Sequence, residues 1–304
     1  MNLNKEIKIF VPNGWVDYEM LDTGEGEKLE RFGKYTFVRP CEDAVWKKTF
    51  SKKEWENVDG KFWSSKTGAK KGWKIKNKIA SPIGYGRGMP RWEMSYKDIK
   101  FFVSPTPFRH FGFFPEQASH WDFIEDKIKN SGRKIKFLNL FGYTGVASLF
   151  ALRAGADVTH LDASKQTLSW AKENQDLSSL SDKPMRIILD DALKFLEREI
   201  KRGNKYDAII MDPPKFGRGP KGEIWKIEEK LPILLENVRK ILTDKPLFVI
   251  LNSYAIDSSS ISLGYALEDS MSDLDGKISC GELCLLEKSK NRSISLSNTA
   301  IWTA

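Results

Sequence analysis

Phe137-Leu138-Asn139-Leu140-Phe141-Gly142-Tyr143-Thr144-Gly145 reads as an apolar strand that runs into a glycine turn and opens a helix. Gly142 and Gly145 permit close backbone approach to a ligand, and the N-terminus of the helix that follows offers N–H groups. Such a turn is common on its own; its weight comes from the strand ends around it. The next apolar run, residues 157–162, ends at Asp162, 21 residues after Phe141, where nucleotide-binding α/β folds place a ribose-binding acid. The third run ends in Asp190-Asp191, placed to accept a hydrogen bond from an adenine amino group. The fourth, residues 206–211, ends in Asp212-Pro213-Pro214-Lys215-Phe216. Each acid alone serves equally well as a helix N-cap. Four consecutive strand ends with polar or glycine-rich termini point to one crevice.

The surrounding pattern gives the fold class. From residue 117 onward helices at 117–130, 144–154, 164–177, 191–202 and 227–243 alternate with strands at 135–141, 157–162, 185–190, 206–212 and 247–254. Strands rich in Ile, Val, Leu and Phe on both faces imply a parallel sheet covered on both sides, a doubly wound, Rossmann-like α/β fold. A helix near 259–270 then leads into strand-like runs at 277–287 and 295–303, which read as an antiparallel hairpin closing one edge. Residues 1–116 read instead as a smaller β-rich domain, with strands at 7–11, 35–38, 73–79, 92–96 and 99–103 and a helical turn at 52–57. The expected division is therefore 1–116 and 117–304.

At 304 residues, with 40% hydrophobic and 30% charged residues, the chain has the composition of a soluble two-domain protein. No stretch approaches a bilayer span and residues 1–6 lack a signal-peptide apolar region, so a cytoplasmic setting without membrane contact is expected. Cys41, Cys280 and Cys284 form neither a disulfide framework nor a zinc quartet, and no metal site is expected. Residues 1–118 carry 22 Lys and Arg against 15 Asp and Glu, which places nearly all of the +8 net charge in the N-terminal part. Within it, residues 61–78 hold seven lysines and no acid, interleaved with Phe62, Trp63 and Trp73. Lysines that neutralise phosphates beside aromatics that stack on bases suit a nucleic-acid surface, with Trp63, Lys70, Lys71 and Trp73 as contacts. A merely solvated loop has the same composition.

The two prolines after Asp212 hold that segment extended, because proline fixes φ, lacks an N–H and biases the preceding residue away from helix. The carbonyls of Asp212 and Pro213 are then available to an amino-bearing ligand, and Phe216 to its flat face. A strand stopping at a turn uses the same residues.

Together Asn139 to Gly145, Asp162-Ala163-Ser164-Lys165, Asp191-Ala192 and Asp212-Pro213-Pro214-Lys215-Phe216 resemble the motifs of class I S-adenosylmethionine-dependent methyltransferases, nearest the bacterial branch that holds 23S ribosomal RNA methyltransferases. The resemblance covers roughly residues 90–304. It implies that Asn139 and Phe141, Gly142, Tyr143, Thr144 and Gly145 surround the methionine part of the cofactor. It further implies Asp162 with Ala163 on the ribose, Asp190 and Asp191 on the adenine, and Asp212, Pro213, Pro214 and Phe216 between the methyl group and a target base. Gly112 to Gln117 is similar to the segment of that family in which a glutamine, here Gln117, lies over the cofactor. Lys215, Arg218 and Lys221 would contact phosphates of an RNA partner, with the enzyme a monomer or homodimer.

The family's carbon-5 cytosine enzymes carry a nucleophilic cysteine after the fifth strand, where this chain reads Leu251-Asn252-Ser253-Tyr254. A nitrogen acceptor, whose own lone pair attacks, is therefore favoured. The small RNA-binding module usual at the family's N-terminus is not evident, and the basic region 47–78 stands where it would be. Other readings of the same residues are a methyltransferase for a small molecule or protein, a nicotinamide-dependent dehydrogenase, and an RNA-binding protein without catalysis.

Overall fold

A computed structural model describes residues 6–64, 71–76, 89–254 and 259–304. The described chain falls into two compact units. One comprises Met1–Phe10, Ser119–Cys284 and Ser295–Ala304, the other Val11–Ala118 and Leu285–Ile294. By this division the segments 1–10 and 285–294 lie across the expected boundary at 116/117.

The first unit is built on an eight-stranded sheet in the order Ile7–Phe10, Lys277–Leu286, Ser293–Thr303, Phe248–Ser253, Ala208–Met211, Lys136–Leu140, Asp157–Asp162, Met185–Leu189. The last five strands of that order are mutually parallel, and Ser293–Thr303 runs antiparallel to Phe248–Ser253. The helices Ala118–Lys129, Val146–Arg153, Lys165–Leu177, Ala192–Arg202, Ile227–Lys240 and Ser260–Ser270 alternate with the strands as the apolar periodicity predicts. Ala208–Met211 and Phe248–Ser253 are buried at every position, the mark of central parallel strands. Leu138, Leu140, Ile209, Met211, Val249 and Leu251 pack one face against Phe195, Leu196, Leu234, Val238, Leu263 and Leu267. Burial of each such side chain stabilises the fold by about 1.5–3 kcal/mol.

The sequence predicts seven strands; the eighth is Ile7–Phe10, expected in the N-terminal domain and found parallel to Lys277–Leu286 at the sheet edge. Four residues with exposed Ile7 and Ile9 carry no signal of which sheet they join. The partner does carry one: Gly281 lies opposite Lys8, and a Cβ there would run into the Lys8 carbonyl.

The second unit holds a five-stranded sheet, Tyr18–Gly24, Glu27–Phe32, Tyr35–Pro40, Gly60–Ser64 and Lys71–Ile75, and the hairpin Trp92–Tyr96 with Ile99–Val103. The expected helical turn is Lys52–Glu56, opened by a capping box between Ser51 and Glu54. Of the expected strand 73–79, residues 77–79 lie outside the described residues. Tyr18–Gly24, Glu27–Phe32 and Gly60–Ser64 were not foreseen. The first two bury Asp22, Thr23, Lys28 and Glu30, so their sequence lacks the alternation that marks a half-buried strand. Phe32, Phe37 and Phe111 form the unit's aromatic centre, with ring centroids 4.2 Å apart for Phe32 and Phe111 and 4.6 Å for Phe37 and Phe111. Among the described residues no helix is long and apolar enough to cross a membrane.

Candidate active site

Strand register sets the site. Leu251, Met211, Leu140, Leu161 and Ile188 are Cα partners across five adjacent strands. The residues that follow the middle three, Asp212, Phe141 and Asp162, therefore emerge side by side at the carboxyl rim. The chain order of these strands reverses between Lys136–Leu140 and Ala208–Met211, the position at which open α/β sheets bind ligands.

In the glycine turn, Phe141 (φ 58°), Tyr143 (φ 53°) and Gly145 (φ 85°) adopt the left-handed conformation. For the two aromatic residues this costs about 1–2 kcal/mol each, so the surroundings must impose it. The Gly142 N–H donates to the Leu161 carbonyl at 2.8 Å, the Tyr143 N–H to Asp162 Oδ2 at 2.9 Å, and Asn174 Nδ2 to the Thr144 carbonyl at 2.9 Å. Packing beneath the turn requires both glycines. A Cβ on Gly142 would meet the His160 ring, and one on Gly145 would lie 2.9 Å from Ala171 Cβ. Gly145 gives the helix Val146–Arg153 no side-chain cap, which leaves its N-terminus to a ligand.

Asn139 is buried, and its Nδ2 donates to Ser148 Oγ at 3.0 Å; the same hydroxyl lies 3.0 Å from His160 Nδ1. Burial drives the His160 pKa down to about 4 despite the opposing charge of Asp162, so the ring under the turn is neutral at neutral pH. Neither His160 nor Ser148 announces itself in the sequence. A buried histidine one residue before the next strand's penultimate position is the only trace.

Asp162 accepts from the Tyr143 N–H on Oδ2 and from the Ser164 N–H and Thr167 Oγ1, both at 2.9 Å, on Oδ1. A carboxylate has about four lone-pair sites, so one remains for a ribose hydroxyl. Ala163 is half-buried beside it. Asp191 caps the helix Ala192–Arg202 by accepting from the Lys194 N–H at 3.0 Å through Oδ1, so the capping role open to it in the sequence is realised. Asp190 Oδ1 accepts from the Asp191 N–H at 2.9 Å, and its Oδ2 pairs with Arg198.

On the other side of the turn, Asp212 is half-buried and its Oδ1 accepts from Asn252 Nδ2 at 3.1 Å; Asn252 Oδ1 in turn accepts from Ser297 Oγ at 2.8 Å. Asn252 thus orients Asp212 from the place where carbon-5 enzymes of the family carry cysteine. Pro213 is buried and Pro214 exposed. Trp225 Nε1 donates to the Pro214 carbonyl at 2.5 Å, and the Trp225 ring meets Phe141 edge-on at 5.0 Å. One buried indole therefore joins the glycine turn to the Asp212 segment, a link that sequence reading missed. Phe216–Arg218 pairs antiparallel with Ile224–Lys226, which holds Phe216 56% exposed at the rim. Lys215, Arg218 and Lys221 are exposed on the same hairpin.

The remaining expected residues lie in the second unit. Gln117 ends the 3-10 turn Pro115–Gln117 and is buried. Trp63 is 45% exposed and Lys71 exposed. Trp73, expected to stack on bases, is turned inward. Strand alternation pairs it with buried Phe62, and its Nε1 donates to the Thr106 carbonyl at 2.7 Å. Lys70 lies outside the described residues.

A family model described as conserved hypothetical protein 95 matches residues 121–244. Ribosomal RNA large subunit methyltransferase K of Neisseria meningitidis is 28% identical over 175 residues, 56% of this chain and 48% of its own length. The K/L enzyme of Pseudoalteromonas translucida is 32% identical over 51% of this chain and 21% of its own. The chain thus spans about half or less of these curated relatives. Among solved structures, the SAM-dependent methyltransferase from Agrobacterium tumefaciens is 40% identical with a TM-score of 0.90, covering 97% of this chain and 93% of that one. SMU.776, solved as a complex with SAH, shares the fold at 17% identity with a TM-score of 0.70, over 94% of this chain and 75% of that one.

Proposed function

We propose a substrate for this chain, which belongs to the class I S-adenosylmethionine-dependent methyltransferases: RNA, methylated on a base nitrogen, with ribosomal RNA the substrate class that the names of its curated relatives suggest. The observation that carries the reading is the pairing of Asp212, oriented by Asn252, with Phe216 exposed a few residues on. A flat heteroaromatic amine fits both. Its ring stacks on Phe216 while its N–H groups donate to the Asp212 carboxylate and the Pro213 carbonyl.

S-adenosylmethionine supplies a methyl group on a sulfonium, ready for in-line displacement. The uncapped helix N-terminus after Gly145 and the remaining acceptor site on Asp162 suit the cofactor's carboxylate and ribose. We assign Asn139, Phe141 to Gly145, Asp162, Ala163, Asp190, Asp191 and Asp212 to cofactor binding. Asp212 and the Pro213 carbonyl would aim the acceptor nitrogen's lone pair at the methyl carbon and stabilise positive charge as the N–C bond forms and the sulfonium C–S bond breaks. With S-adenosylhomocysteine leaving, the N–H proton passes to the Asp212 carboxylate to which it donates. Trp225 fixes the segment that carries both. A base inside paired RNA must be extruded to reach it.

The cysteines favour nitrogen over carbon 5. Cys41, Cys280 and Cys284 are all buried, and burial raises the thiol pKa of Cys41 and Cys280, the reverse of what a nucleophilic thiolate needs. At the end of Phe248–Ser253, Asn252 is committed to Asp212 instead.

Lys215, Arg218 and Lys221 are assigned to phosphates. Three such contacts give log K against log salt a slope of about −2 for single-stranded RNA. We expect affinity for ribosomal RNA fragments, measured by fluorescence anisotropy, to fall at least that steeply. A flat response would favour a small-molecule or protein substrate.

A further inference from the structure

We propose that the hairpin formed by Gly60–Ser64 and Lys71–Ile75 in the second unit binds unpaired RNA nucleotides, with Trp63 and Phe108 as two stacking surfaces and its lysines on the phosphates. The proposal rests on the RNA reading above and adds a second RNA contact to it.

The register carries the argument. Trp63 lies opposite Gly72, and Lys61 opposite Lys74. Residues two apart on a strand share a face, so Lys61, Trp63, Gly72 and Lys74 lie on the outer face while Phe62 and Trp73 face the core. A Cβ placed on Gly72 would be 3.9 Å from Trp63 Nε1, so the pyrrole edge of the indole stands beside the glycine. A flat indole that is 45% exposed accepts any base, because every base has a π face. The Lys61 and Lys74 pair lies two ladder positions along on the same face, about 7 Å away. Lys61 also reaches Glu27 at 2.6 Å, which leaves Lys74 as the principal phosphate contact.

Phe108 belongs to a loop that the hairpin holds rigid. The Thr106 N–H donates to the His110 carbonyl at 2.8 Å, the Ser104 N–H to the Phe111 carbonyl at 3.1 Å, and Trp73 Nε1 fastens the Thr106 carbonyl. At the loop's tip Phe108 is 66% exposed, with Lys71 Nζ 5.5 Å from its ring centroid. Water-exposed phenylalanine gains nothing for the fold, and here it stands on an ordered support beside a cation. Within residues 60–64 and 71–76 there are four lysines and no acid. Two exposed aromatics set among these lysines, of which Lys61 alone is shown paired with an acid, suit a polyanion with flat bases better than an apolar protein surface.

The test uses the full chain and a short unstructured uridine-rich RNA oligonucleotide at low salt. Trp63→Ala and Phe108→Ala should each weaken binding about five- to hundredfold, the loss of one stacked base, while S-adenosylhomocysteine binding stays as in the unsubstituted chain. Lys74→Glu should flatten the salt slope by about one contact. Asp212→Ala should still bind the oligonucleotide. If Trp63→Ala and Phe108→Ala bind as tightly as the unsubstituted chain, the stacking surfaces are overturned and the RNA reading stands. If the unsubstituted chain binds no RNA, both fall.

Discussion

Asp212→Ala should lower the turnover of methyl transfer by about 10²–10³-fold, the usual cost of removing one preorganised polar group aimed at developing charge. The fold should survive. Asp212 is half-buried at a strand end, and its partner Asn252 keeps the Ser297 bond. Affinity for S-adenosylhomocysteine should fall by no more than about 10- to 100-fold, since one charge-assisted hydrogen bond is at stake. Turnover measured with labelled cofactor, beside calorimetric binding and thermal unfolding, separates these effects. Undiminished turnover in a folded variant would remove Asp212 from the chemistry.

Glu30→Ala should destabilise the chain by about 3–5 kcal/mol, the typical cost of breaking a buried ion pair from one side. Glu30 is fully buried. Arg39 donates to its Oε1 and Oε2 at 2.6 Å each, Tyr18 Oη donates to Oε1 at 2.7 Å, and Lys28 Nζ is 3.7 Å away. Burial by itself would raise the Glu30 pKa. Arg39 and Lys28 more than offset it and hold the carboxyl at about 2, against an ordinary 4.5. Without Glu30, Arg39 and Lys28 are left in the core with only the weaker attraction of buried Glu116. The depressed value also fixes the pH dependence. Glu30's contribution is whole above about pH 4.5, declines as the unfolded chain takes up the proton below that, and is gone once pH passes about 2. Denaturant midpoints at neutral and acid pH should therefore converge between Glu30→Gln and the unsubstituted chain as pH falls. A gap that widens on acidification would contradict the assignment.

The elements of the large sheet were legible because parallel strands buried on both faces leave continuous runs of Ile, Val, Leu and Phe, and because three of their helices begin at Asp191, Ser164 and a glycine turn. The rim was legible for the same reason: a strand that stops at an acid shows where the sheet ends. The supports of the rim were not. Asn252 reaches Asp212 across 40 positions of sequence, and Trp225 reaches Pro214 from the far strand of a hairpin too short to show a period. In the second unit Tyr18–Gly24 and Glu27–Phe32 were missed because their buried faces carry charge. Arg39 on the neighbouring strand pairs with Glu30, and Thr49, Phe50, Trp55 and Ser289 donate to Asp22, so the local sequence reads as polar. Trp73 was placed outside for lack of a register. Once Phe62 pairs with Trp73, alternation sends that pair inward and leaves Trp63 in solvent.

The most direct measurement incubates the purified chain with ribosomal RNA and methyl-labelled S-adenosylmethionine, digests the RNA to nucleosides and locates the label by mass spectrometry. Label is expected on a ring or amino nitrogen of a base, lost with Asp212→Ala. Label on carbon 5 of a pyrimidine would contradict the acceptor chemistry, and label absent from RNA altogether would contradict the substrate.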